Sequence, residues 1–244
     1  MNCVLSILIL STVCSVAYSG GCIYAKFTPE HTLCKPPNTQ CNLLANTVSN
    51  DDKNLIIKLH NDFRSKVASG QETTGGQPKA ADMKQLEWDS NLANVAQKHA
   101  EQCVYGHDCK ECRLLDGYSS VGQNAYVQYS TGNMQVDWNK AVNKWYSEVV
   151  NFASSRVPSF MPVSGPMTGH YTQVVWGETG KIGCGFARYP TQKPGYKTEQ
   201  LYICNYAPAG NVETAPVYTI GEPCSNCPNG YSCSSEYKGL CKKN

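Results

Sequence analysis

The stretch Gly169-His170-Tyr171-Thr172-Gln173-Val174-Val175-Trp176 is the most distinctive part of the sequence. From Tyr171 to Trp176 it is short and rich in aromatic and β-branched residues, which predicts a strand. The stretches Ile182–Ala187 and Leu201–Tyr206 have the same character, and glycine or proline residues separate the three. The second half of the chain is therefore predicted to form a sheet.

The first half shows helical periodicity instead. A first helix is predicted to begin near Ser49–Asp52 and to end at Gly70, and a second to run from Asp89 to near Cys103. A third apolar stripe has spacings of four, three, four and three, at Trp138, Val142, Trp145, Val149 and Phe152. Helices first and strands later indicate an α+β protein, with the sheet between helical layers.

Residues 1–19 are predicted to be a cleaved secretory signal. Val4–Val13 is almost wholly apolar, and Ala17–Ser19 supplies the small residues that a signal peptidase requires. The apolar run is about half the ~20 residues that a membrane helix needs. We therefore expect a secreted, extracellular protein without a membrane span.

The cysteine count predicts six disulfides. Of 14 cysteines, Cys3 and Cys14 fall inside the signal, which leaves an even number on an oxidising route. They are Cys22, Cys34, Cys41, Cys103, Cys109, Cys112, Cys184, Cys204, Cys224, Cys227, Cys233 and Cys241. The close pair Cys109 and Cys112 is compatible with a redox or zinc pair, but a structural bond is the favoured interpretation.

The termini of the mature chain are predicted to be irregular. Residues 20–50 should form an arm whose order comes from disulfides, and residues 216–244 a linker followed by a small, separate cysteine knot. The net charge of +2 comes without a concentrated basic stripe, which argues against a nucleic-acid partner.

Three stretches together carry a family resemblance. Gly169–Trp176, Tyr202–Asn211 (YICNYAPAGN) and His60–Arg64 (HNDFR) resemble the signatures of the CAP superfamily, which covers cysteine-rich secretory, antigen 5 and pathogenesis-related class 1 proteins. Gln102–Asp108 with Val121–Asn124 is similar to the arthropod venom allergen 5 branch, a group of venom proteins, toxins and allergens. The resemblance spans residues 51–215 and implies a three-layer α-β-α sandwich.

The resemblance also implies a cleft of two histidines and two acidic residues. In this chain these map to His60, Gln123, Glu148 and His170. Gln123 replaces the glutamate of many relatives, and an amide can neither donate nor accept the proton that paired-carboxylate hydrolysis requires. His60, Glu148 and His170 remain as a possible zinc set with an open fourth position, although no His-Glu-x-x-His motif supports it. No catalytic residue is assigned.

The same resemblance implies disulfide partners. Cys41 is expected to pair with Cys103 and Cys184 with Cys204, while Cys22 and Cys34 would join Cys109 and Cys112 in an order left open.

The favoured function is a non-enzymatic binder of lipid, sterol or small amphipathic mediators, in a channel lined by the first and third helices. A filled core at that place is the commoner outcome. One alternative is an effector that acts on a host or prey extracellular protein or an ion channel through loops Gln71–Ala81 and Tyr189–Glu199. The second is a metal-dependent peptidase that uses the histidine cleft.

Overall fold

A computed structural model describes residues 21–132 and 134–244. The predicted signal at residues 1–19 lies outside this part of the chain. Within it, no helix is both long enough and apolar enough to cross a membrane.

The central sheet has four strands in the order β1-β3-β4-β2. They are β1 (Glu87–Trp88), β2 (Gly122–Ser130), β3 (Lys181–Pro190) and β4 (Thr198–Ala207). Strand β1 runs parallel to β3, and the other two pairings are antiparallel. The two strands predicted within β3 and β4 are confirmed, whereas β2 is a strand that the sequence patterns do not predict.

The predicted strand at Tyr171–Trp176 is wrong, because Gly169–Val174 forms a short helix, α4. The Glu148 carboxylate accepts the backbone N–H groups of His170 and Tyr171, which satisfies donors that a helix start leaves free. The Thr172 hydroxyl bonds back to the carbonyl of Thr168. Because Tyr171–Trp176 is buried on all sides, its apolar residues show no helical spacing, and the segment has the sequence character of a buried strand.

Three longer helices have well-defined caps. They are α1 (Asn50–Ala68), α2 (Ser90–Ala100) and α3 (Trp138–Tyr146). Ser49 and Asp52 form a reciprocal capping box on α1, and Asp89 and Asp137 cap α2 and α3.

Helix α3 is shorter than predicted, since the chain continues from Ser147 to Asn151 as a 3-10 helix. Within residues 21–132 and 134–244, further 3-10 helices lie at Ile23–Lys26, Thr32–Cys34, Thr74–Gly76, Glu111–Arg113 and Ser154–Arg156.

The helices cover both faces of the sheet, which confirms the α-β-α sandwich. Helix α2 lies directly on β3, where a Cβ at Gly183 or Gly185 would overlap the α2 backbone at Ala93 and Gln97. Helices α1, α3 and α4 pack on the opposite face around the largest apolar core. Between α1 and α3, the rings of Phe63 and Tyr146 stack with centroids 3.9 Å apart. Of the two possibilities considered for this space, a lined channel and a filled core, the structure has the filled core.

All six predicted disulfides form, and two expected pairings are confirmed: Cys41 with Cys103 and Cys184 with Cys204. The expectation that Cys22 and Cys34 join Cys109 and Cys112 is wrong. Instead Cys22 pairs with Cys34 inside the arm, and Cys109 with Cys112 inside a single loop. The two pairs are separated by 12 and 3 residues, so both bonds close local loops and neither links the arm to the main domain.

The C-terminal tail is not a separate knot. Cys224–Cys233 and Cys227–Cys241 bridge it, and it contains the two-stranded sheet of β5 (Tyr231–Cys233) and β6 (Cys241–Lys243). Leu240 is fully buried in the main core, and the Cys241 backbone exchanges hydrogen bonds with Met83 and Gln85. The tail therefore folds as part of the main domain.

Both loops predicted to be exposed reach the surface, but Gln71–Ala81 does so only in part, through residues 71, 73, 75, 76 and 79. Tyr189–Glu199 forms the β3–β4 turn, and residues 192–197 are exposed. Gln71–Ala81 instead buries Glu72 and Gln77, and Glu72 accepts hydrogen bonds from Lys66 and the Tyr146 hydroxyl.

Candidate functional site

Three residues of the His60–Arg64 motif on α1, His60, Asn61 and Arg64, are buried in the core and do not line a cleft. His60 is fully buried, its Nδ1 bonds to the Ile56 carbonyl at 2.8 Å, and its Nε2 to the Tyr206 hydroxyl at 2.9 Å. Burial lowers the pKa of His60 from 6.5 to about 4, and the positive charge of Arg64 adds to that effect. His60 is therefore neutral at physiological pH, with both ring nitrogens engaged.

Arg64 anchors the backbone around α4. Its buried guanidinium donates to five carbonyl oxygens, those of Lys84, Val174, Trp176, Gly177 and Thr179. On the same helix, the Asn61 side chain both donates to and accepts from the Leu86 backbone. The motif thus holds chain segments together through buried polar contacts.

The open site is built around His170 at the start of α4. Its Nδ1 lies 2.6 Å from Glu148 Oε1, and the two side chains remain 15% and 11% exposed. The other oxygen of Glu148 accepts the N–H groups of His170 and Tyr171 at 3.0 and 3.2 Å. Glu148 therefore orients His170 and leaves its Nε2 without a hydrogen-bond partner in the part of the chain that the structure describes.

A second histidine, His107, stands on the other wall of the cleft. Its Nδ1 bonds to Gln123 Oε1 at 2.8 Å. Although the residue is exposed overall, partial desolvation lowers the pKa of its ring, and the positive charge of Arg113 lowers it further. His107 is consequently a neutral ring whose Nε2 has no protein partner among the described residues.

The hydrogen bonds of Gln123 use both the donor and the acceptor of its amide group. Its Nε2 donates to Asp108 Oδ1 and to Asn205 Oδ1, each at 3.0 Å, while its Oε1 receives the His107 bond. Asp108 is buried and ion-paired with Arg113 at 2.8 Å. A glutamate at position 123 would place its carboxylate next to the acceptor oxygens of Asp108 and Asn205, with no N–H to donate to them. An amide is therefore more favourable than a second acid beside Asp108.

The cleft has a volume of about 380 Å³. His107, Gln123 and His170 line it together with apolar residues that are unusually open to solvent: Tyr105 is 49% exposed, Val163 55% and Met167 65%. A second groove of about 550 Å³ shares His107, Gln123 and Asn211 with it. A polar centre thus adjoins an apolar rim.

The structure brings together three of the four predicted cleft residues. His170 and Glu148 are in contact, and Gln123 lines the same cleft, whereas His60 reaches neither Glu148 nor His170. In the part of the chain that the structure describes, the predicted zinc set His60, Glu148 and His170 does not place its ligand atoms within 4.8 Å of one another. The assignment of His60 to the cleft is therefore corrected.

Sequence reasoning missed His107. It lies within Gln102–Asp108, a stretch that had served only as a mark of resemblance. His107 and Gln123 are 16 residues apart, and the sequence between them has no helical or strand periodicity that would place them on one face. Only the folded loop brings the two side chains together.

Comparison with known proteins places this architecture among cysteine-rich secretory proteins. Residues 57–206 match the Cysteine-rich secretory protein family, CAP. The chain is 43% identical over 235 residues to CRISP/Allergen/PR-1 of Trittame loki, which covers 93% of this chain and 57% of that protein. It is 41% identical over 206 residues to venom allergen 5 of Dolichovespula arenaria, covering 80% and 98% respectively.

A solved structure agrees with the sequence matches. The crystal structure of NaASP2 with Zn²⁺ superposes with a TM-score of 0.63 at 31% identity, and covers 80% of this chain and 96% of that one. The chain belongs to the CAP family, in its venom allergen 5 group. It spans little more than half the length of three of the curated relatives that it matches. The relatives named for venom and the six disulfides of the described residues identify it as an extracellular protein.

Proposed function

We propose that the protein is a non-enzymatic binder of a small amphipathic molecule, held in the cleft between His107 and His170. The observation that carries the proposal is the exposed apolar rim of Tyr105, Val163 and Met167 on the same cavity as the two histidines. Ligand sites commonly combine apolar walls with a few convergent polar groups. The polar head of a ligand would face the free Nε2 atoms, and its apolar part would cover the rim.

Binding fits the cleft better than hydrolysis does. Both oxygens of Glu148 are engaged in orienting α4 and His170, and Gln123 carries no proton to exchange. Neither side chain is placed as a general acid or base. The effector alternative rests on the exposed β3–β4 turn, where nothing beyond exposure indicates a partner.

The test is native mass spectrometry of the mature protein incubated separately with palmitate, lysophosphatidylcholine and cholesterol. A stoichiometric adduct is expected for at least one of them. Met167→Ser with Val163→Ser should weaken it about tenfold, as expected for two apolar side chains withdrawn from a ligand. Ile23→Ser, at a side chain that is 72% exposed on the N-terminal arm, is the matched control. Absence of any adduct, or equal losses in the control, would contradict the proposal.

A second candidate function is divalent metal binding at the same cleft. The donor set fits zinc, because each histidine uses Nδ1 for an orienting hydrogen bond and leaves Nε2 free, as metal-ligating histidines commonly do. His107 and His170 would be the ligands, with Glu148 and Gln123 as their outer partners. Zinc would supply a positive charge able to bind an anionic head group, and the zinc-containing NaASP2 structure supports the idea.

Zinc titration by calorimetry tests this set. His107→Ala and His170→Ala should each abolish the binding heat. Glu148→Gln should weaken zinc affinity by about 10- to 100-fold, because Glu148 orients the ligand His170 and does not itself bind the metal. His99→Gln, on α2, should change nothing. Zinc heat that survives both alanine substitutions would overturn the assignment.

A further inference from the structure

The loop after α2 contains an unusual disulfide between Cys109 and Cys112. The two cysteines are only 3 residues apart, whereas the other five bridges span 9 to 62 residues. A ring this short restrains the unfolded chain less than any of the others. Stabilisation of the fold therefore accounts poorly for its presence.

The two sulfur-bearing residues differ in accessibility. Cys109 is exposed, while Cys112 is only 3% exposed. An external thiol can therefore approach Cys109 from solvent, whereas the Cys112 side is covered by protein. In a Cys-x-x-Cys pair, this asymmetry defines which sulfur is attacked and which one leaves.

The ends of the loop are held independently of the sulfurs. The Arg113 guanidinium donates to the Asp108 carboxylate at 2.8 Å, to the Asp108 carbonyl at 2.7 Å and to the Val121 carbonyl at 2.8 Å. From the N-terminal arm, the Thr32 hydroxyl donates to the other Asp108 oxygen at 2.6 Å. Opening the disulfide would leave these anchors in place, so the two sulfurs would stay close enough to reclose.

The surroundings also favour a thiolate at Cys109. The backbone N–H of Cys112 donates to Cys109 Sγ at 2.9 Å. The charges beside the loop largely offset one another, because Lys110 is next to the exposed Glu111 and Arg113 is paired with Asp108, so the backbone donor is the feature that favours the thiolate. Backbone donors lower the pKa of a thiol and make it a better nucleophile and leaving group at neutral pH.

We propose that Cys109–Cys112 is a reversible thiol–disulfide exchange site that acts on small or protein dithiols, with Cys109 as the attacked sulfur. One thiolate of the dithiol attacks Cys109 Sγ, the Cys109–Cys112 bond breaks, and Cys112 leaves as a thiolate. The second thiolate of the dithiol attacks its partner's sulfur in the mixed disulfide and releases Cys109. Two electrons and two protons pass to the cysteine pair, and the dithiol becomes a disulfide.

The first test needs no variant. The folded mature protein is equilibrated in mixtures of reduced and oxidised dithiothreitol, quenched with acid, alkylated and mapped by mass spectrometry. Cys109 and Cys112 should become alkylated at about tenfold lower reductant-to-oxidant ratios than the other ten cysteines, with return on reoxidation. Simultaneous reduction of Cys109–Cys112 and Cys22–Cys34, which also closes a local loop, would overturn the proposal and identify a structural bond.

The direction of attack is tested with glutathione and two matched variants. Cys112→Ser should accumulate a glutathione adduct on Cys109 at about tenfold the yield that Cys109→Ser gives on the buried Cys112. Circular dichroism checks that both variants fold, and the wild-type titration stands if either does not. Equal adduct yields in two folded variants would contradict the assignment of Cys109 as the attacked sulfur.

Discussion

His60 and His170 occupy motifs of similar prominence in the sequence, yet the fold gives them opposite environments. Both rings pack near Trp145, with centroid distances of 6.3 and 6.5 Å. His60 has both nitrogens engaged in the core, whereas His170 has one engaged by Glu148 and one free toward the cleft. A histidine is a candidate ligand only if the tertiary structure leaves a nitrogen unpaired, so residue type and motif alone do not decide its role.

The largest expected effect lies in the buried motif that contains His60. Arg64→Met would leave five carbonyl oxygens without their charged donor, and we expect the free energy of unfolding to fall by about 4 kcal/mol. Arg188→Met, which removes one side-chain bond to the Met134 carbonyl, should cost about 1 kcal/mol. Urea unfolding with the disulfides intact measures both. Equal losses would show that the Arg64 hydrogen bonds contribute no more to the free energy of unfolding than the single Arg188 bond does.

Acid should weaken the protein through His60. Because its pKa falls from 6.5 in the unfolded chain to about 4 in the fold, the unfolded state binds the proton first. Stability is complete above pH 6.5 and declines toward pH 4, by about 3 kcal/mol at most. The slope of unfolding free energy against pH in that window should flatten in His60→Gln. An unchanged slope would place the acid sensitivity elsewhere.

The cleft wall should reject a carboxylate at position 123. Gln123→Glu opposes its charge to Asp108 and Asn205, and we expect a loss of about 2 kcal/mol at neutral pH. Adding Asp108→Asn should recover part of that loss, because the new amide can donate to the glutamate. A double-mutant cycle by thermal unfolding measures the coupling. Additive effects would mean that Asp108 does not determine the amide.

The smallest effect is expected at His170. His170→Ala removes a partly exposed ring whose partner Glu148 keeps its two backbone donors, so stability should fall by only about 1 kcal/mol. His60→Ala should cost more, about 3 kcal/mol, because it empties a buried site and leaves the Tyr206 hydroxyl unpaired. Parallel denaturant unfolding compares the two. The reverse order would remove the distinction between a core and a cleft histidine.

Much of the fold could be predicted because its signals are local. The 3.6-residue spacing on α1, α2 and α3, with polar caps before each, encodes the helices directly. Short runs rich in aromatic and β-branched residues, separated by glycine or proline, indicate β3 and β4. The Tyr171–Trp176 prediction failed because an element buried on all sides shows no period. In this segment the backbone N–H groups of His170 and Tyr171 donate to Glu148, and these hydrogen bonds stabilise the start of a helix.

The sequence by itself determined the family, the α-β-α architecture, the six-disulfide count and the replacement of an acid by Gln123. Only the tertiary structure decided which histidines share the cleft, because His107 meets Gln123 through a loop without periodicity, while His60 turns into the core. It also decided the local pairing of Cys109 with Cys112, since a cysteine count limits the number of bonds but not which sulfurs fold close together.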